Sequence, residues 1–259
     1  MSLEEWDLNV QVENPVDFVS LAHHGYDIKK YYEAQDLINY FDMLNGPTYM
    51  NLVKHFRVRA QVYDCKAAQL EMDEKVLIDP SSAGKSREEM GLEPFTVTKI
   101  RSSILGISMF ISEEQIAWLI KRASEGRFVS GLDNNKTNPW NDTVNKTMFN
   151  STKKGKYRDL SMEHKLLLKI QNENLLPKGG GGDQPSLDHR VFLHFFMTKE
   201  KANVPKYIFR HMIKTLKEVK QSTCVRCLME DFFLKSFIKV GFWMLSEQPM
   251  SHMITSLAK

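Results

Sequence analysis

Two glycine-containing segments have residue types that could bind phosphate. Residues 81–86, SSAGKS, end in the Gly-Lys-Ser of a phosphate-binding loop, but that motif's first glycine is replaced by Asp79, whose carboxylate would repel phosphate. Residues 178–183, KGGGGD, hold four consecutive glycines between Pro177 and Pro185, and such a run raises chain entropy without fixing a turn. The first segment predicts a surface turn, and the second predicts a hinge.

Histidines and cysteines form no complete metal-binding or catalytic motif. His189 and His194 are five positions apart, so a helix places their imidazoles on different faces, whereas a helical metal motif needs a spacing of four. Cys224 and Cys227 make half of a zinc site, which Cys65 and His252 could complete only through a coincidence of the fold. Nothing in the sequence pairs a nucleophile with a base. We therefore predict no catalytic residue, no enzymatic activity, no metal and no cofactor.

Positive charge is concentrated in one part of the chain. Residues 151–220 hold 15 lysines and arginines against 7 aspartates and glutamates, a net charge of +8, while the rest of the chain sums to −5. Such a region could bind nucleic acid or another anionic partner, or it could be a set of helices with lysine-rich solvent faces. The candidate nucleic-acid contacts are Lys153, Lys154, Lys156 and Arg158.

Cysteine usage and the distribution of apolar residues indicate the compartment. Three cysteines are too few for a disulfide framework, and the acidic N-terminus lacks the apolar core of a signal peptide. The longest apolar stretch, residues 232–245, is interrupted by Lys235 and Lys239 and is too short to span a bilayer. We therefore expect an intracellular protein of the nucleus or cytoplasm, neither secreted nor bound to a membrane.

The N-terminal half combines helical periodicity with β-rich stretches. Residues 29–44 place apolar side chains at helical spacing, which predicts one helix. Residues 57–63 alternate valine and alanine with arginine and glutamine, and residues 95–110 are rich in β-branched side chains, which predicts two or three paired strands. Residues 112–126 predict a helix that is capped by Ser112 and stopped by Gly126.

The C-terminal half is predicted to be mainly helical. Helices are predicted at 138–149, at 161–176 with Ser161 as the cap, and as a pair at 186–199 and 204–221. The expected fold class is therefore α+β, mainly α, with bundle-like helical segments and a small two- or three-stranded sheet in the N-terminal half.

Five segments between residues 15 and 220 together form a specific pattern: YFDMLNGPTYMNLVKHFRVRAQVYD, EKVLIDPSSAGKSREEMGLEPFTVTKIRSSILGI, ISEEQIAWLIKRASEG, NPWNDTVNKTMFN and LLPKGGGGDQPSLDHRVFLHFFMTKEKANVPKYIFRHMIKTLKE. They resemble the plant transposon protein domain, which is abundant in legume genomes, is associated with long-terminal-repeat retroelements and is sometimes described as envelope-like. The resemblance implies the reading frame of a repeat element and supplies no catalytic residues. This chain departs from the family at Arg57, where a tryptophan is usual.

A larger departure from the family begins after Gln221. The family continues with a cysteine and then PYGRLISEIFHQGGIL, whereas this chain reads CLMEDFFLKSFIKVGFWML. If residues 227–231 are written as TGC CTT ATG GAA GAC and read two bases later, they encode Pro-Tyr-Gly-Arg. We therefore expect residues 222–259 to be a frameshifted tail.

These observations predict five parts of the chain: a disordered N-terminus (1–14), the main domain of plant transposon type (15–176), a glycine-rich hinge (177–185), a C-terminal helical pair (186–221) and the frameshifted tail (222–259). The expected function is that of a non-enzymatic, truncated, retrotransposon-derived plant protein. The alternative is a module that associates with nucleic acid or other retroelement proteins through the basic region 151–220. A transposase-type enzyme is a third hypothesis, which would need three or four acidic residues converging on a divalent metal.

Overall fold

The computed structural model describes residues 14–44, 49–104, 106–129, 139–149, 157–177 and 185–218. In these residues ten α-helices and one small antiparallel sheet form, so the chain is α+β and mainly α, as its sequence predicts. The helices are α1 (Phe18–His23), α2 (Lys29–Ala34), α3 (Ile38–Met43), α4 (Met50–Arg59), α5 (Cys65–Ile78), α6 (Glu113–Leu119), α7 (Trp140–Met148), α8 (Met162–Asn174), α9 (Leu187–Thr198) and α10 (Val204–Glu218). The strands are β1 (Gln61–Tyr63), β2 (Lys99–Ile104) and β3 (Ile107–Ile111).

Residues 29–44 fold as α2 and α3 and not as the single helix that their periodicity predicts. Asp36 lies between the two helices with a φ of 55°, in the left-handed region that interrupts a helix. The spacing nevertheless identifies the inward-facing side chains correctly, because every apolar residue that it selects is buried. These residues are Tyr32, Leu37, Tyr40, Phe41 and Leu44.

The strand predicted at 57–63 is wrong over its first half. Helix α4 continues through Arg59, and β1 begins only at Gln61. A helical set of apolar side chains on α4 is buried and outweighs the short alternation that follows it. This set is Leu52, Val53 and Phe56. As a result Arg57 is only 3% exposed, and its Nη2 donates a hydrogen bond to the backbone oxygen of Thr215, 3.3 Å away on α10.

The sheet has the order β1-β2-β3, and both pairs of strands are antiparallel. Two strands within the predicted stretch 95–110 are therefore confirmed, and one of them, β2, pairs with β1 while β3 pairs only with β2. Helix α4 packs over the central strand β2, where the Ser102 hydroxyl donates a hydrogen bond of 2.6 Å to the backbone oxygen of Phe56. The sheet and α4 thus form one packed unit near the middle of the chain.

Helix α6 begins at its predicted N-cap, Ser112, but it ends at Leu119, well before the predicted stop. Its end is a Schellman motif in which Lys121 occupies the left-handed position with a φ of 53°. The N–H of Arg122 donates to the oxygen of Ala117 at 2.9 Å, which closes the motif. Because Lys121 occupies the position where glycine is usual, the sequence does not indicate this helix end.

Gly126 has a different role from the predicted helix stop. It has a φ of 102°, and a Cβ placed on it would lie 2.7 Å from the backbone oxygen of Lys201. The neighbouring Arg127 forms a parallel bridge with Ala202, because its N–H donates to Lys201 and its oxygen accepts from Asn203, each at 2.8 Å. A glycine is therefore required so that this segment can approach the segment that joins α9 to α10.

Helix α9 is the central helix of the core. Residues 191–196 are all buried, so this helix is covered on every side. It packs against α2, α7 and α8, and the ring centroid of Phe192 lies 4.9 Å from that of Tyr207 on α10. The predicted pair of helices is therefore present, and its buried hydrophobic residues belong to the same cluster as those of α2, α3, α4, α6, α7 and α8.

Several predicted segments fall outside the described residues. They are nearly all of the N-terminal segment 1–14, residues 178–184 of the hinge and the tail 222–259. In the part of the chain that the structure describes, no helix is both long and apolar enough to cross a membrane.

Candidate functional site

Of the four candidate nucleic-acid contacts, the structure describes only Arg158. It lies on a short 3-10 helix, Tyr157–Asp159, just before α8. Its side chain is 78% exposed, and its Nε lies 3.9 Å from Asp159. Lys153, Lys154 and Lys156 lie outside the described residues. Arg158 is thus exposed, and all four nucleic-acid contacts stay predictions.

Several lysines of the basic region form ion pairs within the fold. Lys217 lies 2.9 Å from Asp64 at the start of α5, and Lys214 lies 3.7 Å from Asp188. Lys201 pairs with Asp36, which lies between α2 and α3. Exposed pairs of this kind contribute little to stability, but they place a carboxylate beside each cation. Two of these pairs, Lys217–Asp64 and Lys201–Asp36, join the basic region to the N-terminal half of the chain. Part of the positive charge of the basic region therefore complements negative charge in the N-terminal half.

The SSAGKS segment uses its amides and hydroxyls internally. Asp79 accepts hydrogen bonds from the N–H of Ser81 and from the hydroxyls of Ser81 and Ser82, and these bonds lower the pKa of its carboxyl. The N–H of Ser86 donates to Glu89 at 2.7 Å, which lowers the pKa of that carboxyl too. Carboxylates of the chain thus occupy donors that a phosphate would need, in agreement with the predicted surface turn.

Residues 54–63, KHFRVRAQVY, interleave basic and aromatic residues as nucleic-acid-binding sheets do, but Phe56 is fully buried and Tyr63 is covered by charged side chains. Tyr63 is 5% exposed, and the Arg101 guanidinium lies 3.2 Å from its ring centroid. Arg87 donates hydrogen bonds to the Tyr63 hydroxyl and to Glu71, while Glu71 also accepts from that hydroxyl. A base could not stack on this ring without displacing Arg101. Tyr63 therefore packs at the edge of the sheet.

The histidines predicted to lie on different faces of α9 do so. His194 contacts the Thr147 hydroxyl through Nδ1 at 2.9 Å. His189 instead donates from Nε2 to the backbone oxygen of Leu176 at 2.8 Å, since a carbonyl can only accept. His211 of α10 donates in the same way to Pro177 at 2.8 Å, and the ring centroids of His189 and His211 are 6.0 Å apart. Motif spacing did not predict this histidine pair, because its members lie on different helices that only the fold brings together.

Replacing His211 with glutamine is expected to make stability less sensitive to acid. Burial first, and then the neighbouring His189, lower the pKa of His211 to about 3 from an ordinary value of 6.5. The unfolded chain binds a proton below pH 6.5 that the folded chain excludes, so stability is complete above that pH and is lost as pH falls toward 3. The loss approaches about 1.4 kcal/mol per pH unit for one such group.

The measurement is the free energy of unfolding from urea titrations between pH 6.5 and 5, above the range in which most carboxyls titrate. His211→Gln should flatten the slope relative to the parent chain, whereas the exposed His23→Gln should leave it unchanged. Equal slopes for His211→Gln and the parent would show that the half-buried His211 imidazole does not oppose protonation.

A polar pocket of about 440 Å³ lies beside the segment that joins α9 to α10, and we name it the linker pocket. Its lining residues come from three distant parts of the sequence: Asp36, Lys121, Arg122, Ala123, Glu125, Gly126 and Lys201. Three of these residues, Asp36, Lys121 and Gly126, have a positive φ. The pocket is therefore built from backbone turns that only the tertiary structure holds in place.

Arg122 is the most buried charged group of the linker pocket. It is 8% exposed, and its Nη2 donates to the backbone oxygen of Ala202. Its Nη1 has no hydrogen-bond partner among the described residues. Burial lowers the pKa of this guanidinium, while Asp36 and Glu125 oppose that shift. The lining holds three cations and two carboxylates, and two of these groups, Lys201 and Asp36, pair with each other.

The described residues contain no group of three or more histidine, cysteine, aspartate or glutamate side chains that could hold a metal ion. Cys65 is an exposed free thiol, and Cys224 and Cys227 lie outside the described residues. No protein-family model, curated protein or solved structure matches this chain.

Proposed function

We propose that this chain is a non-enzymatic protein derived from a plant long-terminal-repeat retroelement, located in the nucleus or cytoplasm, whose intact relatives serve assembly or interaction of the element. The observation that carries the proposal is the combination of five family-like segments within residues 15–220. The contacts between these segments support it. Gly126, at the end of ISEEQIAWLIKRASEG, lies against Lys201 and Ala202 of the segment that contains KEKANVPKY.

We further propose that the tail 222–259 is translated out of the ancestral frame. The support is that residues 227–231, Cys-Leu-Met-Glu-Asp, can be written in codons that encode the family's Pro-Tyr-Gly-Arg when they are read two bases later. The chain would then be a truncated remnant that retains the domain but has lost its original C-terminus.

Sequencing the locus tests both parts of this proposal. Terminal repeats or polymerase reading frames should flank the gene, and the alternative frame that begins within codon 227 should read PYGRLISEIFHQGGIL. A single-copy locus without such neighbours would contradict the retroelement origin. A stop codon early in the alternative frame would contradict the frameshift alone.

The second candidate function is association with nucleic acid through the basic region, and the exposed Arg158 is the observation that favours it. Replacing Lys153, Lys154, Lys156 and Arg158 together with glutamine is expected to weaken binding to DNA or RNA. The slope of log affinity against log salt is negative, and each lost phosphate contact reduces its magnitude by about 0.9 for duplex DNA and by about 0.7 for single strands. Fluorescence anisotropy at several salt concentrations measures this slope.

A charge-matched control uses four lysines of the same region that already lie near carboxylates: Lys169, Lys201, Lys214 and Lys217. Their replacement with glutamine removes the same total charge. If the two quadruple variants lose equal affinity, binding depends on net charge alone and the four predicted residues are not a site.

A further inference from the structure

Helix α5 exposes an apolar face that no described element covers. Leu70, Leu77 and Ile78 are 61%, 81% and 82% exposed, which is unusual for large aliphatic side chains grouped on one helix. Leu70 and Leu77 are seven positions apart and therefore lie on the same side of the helix. We name this surface, together with Lys66, Asp73 and Glu74, the α5 outer face.

The end of α10 lies at the beginning of the α5 outer face. Lys217, in the last turn of α10, has its Nζ 2.9 Å from Oδ2 of Asp64. Asp64 is the N-cap of α5, and it also accepts hydrogen bonds from the N–H groups of Lys66 and Ala67. Residues that follow Glu218 therefore leave the described structure beside the first turn of α5.

The remaining chain is long enough and apolar enough to cover this face. Residues 219–231 could span up to about 40 Å if extended, whereas the 14 residues of α5 measure about 21 Å. Residues 232–245, FFLKSFIKVGFWML, follow directly and are the most apolar stretch of the sequence. A tethered segment also has a high effective concentration at a surface so close to its attachment point.

The order of charged residues along residues 230–245 is complementary to their order along α5. On α5, Lys66 precedes Leu70, and the acidic Asp73 and Glu74 lie between Leu70 and Leu77. In the tail, the acidic residues 230–231 precede three apolar residues, and Lys235 and Lys239 then divide the apolar stretch. A tail that runs along α5 from its N-terminal end would place acids near Lys66 and lysines near Asp73 and Glu74.

We propose that residues 230–245 dock on the α5 outer face of the same chain and cover Leu70, Leu77 and Ile78. This contact depends on the residues as they stand and is independent of the proposed origin of the tail. It removes from water an apolar surface on the helix and an apolar stretch in the tail, each of which would otherwise favour aggregation.

Limited chymotrypsin digestion of the full-length chain tests the contact, with cleavage sites mapped by mass spectrometry. Cleavage within residues 232–245 should be at least about tenfold faster in the double variant Leu70→Glu, Leu77→Glu than in the parent chain. Both positions are already exposed, so the fold should persist, and unchanged cleavage within α9 will verify this. Val19→Glu on α1 is the matched control, because Val19 is 68% exposed, and it should leave the tail protected.

A charge exchange provides a second test. Glu74→Lys and Lys239→Glu should each accelerate cleavage of the tail, and the combination should restore protection. Equal cleavage in the parent and the double leucine variant would overturn the proposal. Protection that disappears on dilution would also overturn it, because the α5 outer face would then be covered by a second copy of the chain.

Discussion

Replacing Gln35 with methionine is expected to lower the free energy of unfolding by about 3 kcal/mol. Gln35 is fully buried, and its amide contacts backbone groups in and after α9. Its Nε2 donates to Glu200 at 2.7 Å and to Phe195 at 3.3 Å, and its Oε1 accepts from the N–H of Ala202 at 3.0 Å. Methionine has a similar volume but leaves these groups without their partner, at about 1 to 3 kcal/mol for each that stays buried.

The matched control is Gln171→Met. Gln171 is 2% exposed, but its Nε2 makes a single hydrogen bond of this kind, to the backbone oxygen of His189 at 3.1 Å. We expect a loss of about 1 kcal/mol. Urea unfolding of both variants under identical conditions gives the comparison. A cost for Gln35→Met no larger than that for Gln171→Met would show that Gln35 does not anchor the segment between α9 and α10.

Replacing Gly126 with alanine is expected to cost about 3 kcal/mol. The φ of 102° disfavours any L side chain, at about 1 kcal/mol or more. In addition, the new Cβ would lie 2.7 Å from the oxygen of Lys201 and 2.9 Å from the carbonyl carbon of Ala202. These are backbone atoms that cannot rotate away, so the two segments must separate, and overpacking of this kind costs about 1 to 3 kcal/mol.

Gly84→Ala separates the two contributions. Gly84 has a φ of 79°, but nothing lies within 4 Å of its Cβ position, so only the conformational cost remains. We expect about 1 kcal/mol for this variant, measured by urea or thermal unfolding. If the two alanine variants lose equal stability, the close approach of Gly126 to the Lys201–Ala202 backbone contributes nothing.

Both predictions concern the segment between α9 and α10, which connects parts of the chain that are distant in sequence. Gln35 holds it from the N-terminal helices, and Arg122 and Arg127 hold it from the turn after α6. Loss of one of these contacts should loosen the linker pocket as well as the core. The segment therefore acts as the junction between α2, α6 and the helical pair.

Local sequence patterns succeeded where the nearest neighbours in the chain determine the outcome. Ser112 and Ser161 cap their helices as predicted, because an N-cap bonds to the backbone only a few residues away. The apolar spacing of 29–44 identified the buried side chains correctly, because helical periodicity determines which nearby residues share a face. The strand at 57–59 was wrong because burial of α4 against the sheet outweighs a short alternating pattern.

The sequence by itself determined the α+β class, most helix positions, the presence of a small paired sheet and the surface turn at SSAGKS. The structure alone revealed the break at Asp36 and the early end of α6, because an aspartate and a lysine occupy left-handed positions where a glycine would have marked a helix end. Only the tertiary structure decided the requirement for glycine at 126 and the meeting of His189 with His211. The physical reason is sequence distance, since capping and periodicity act over one or two helical turns, whereas these last two features depend on atoms contributed by remote segments.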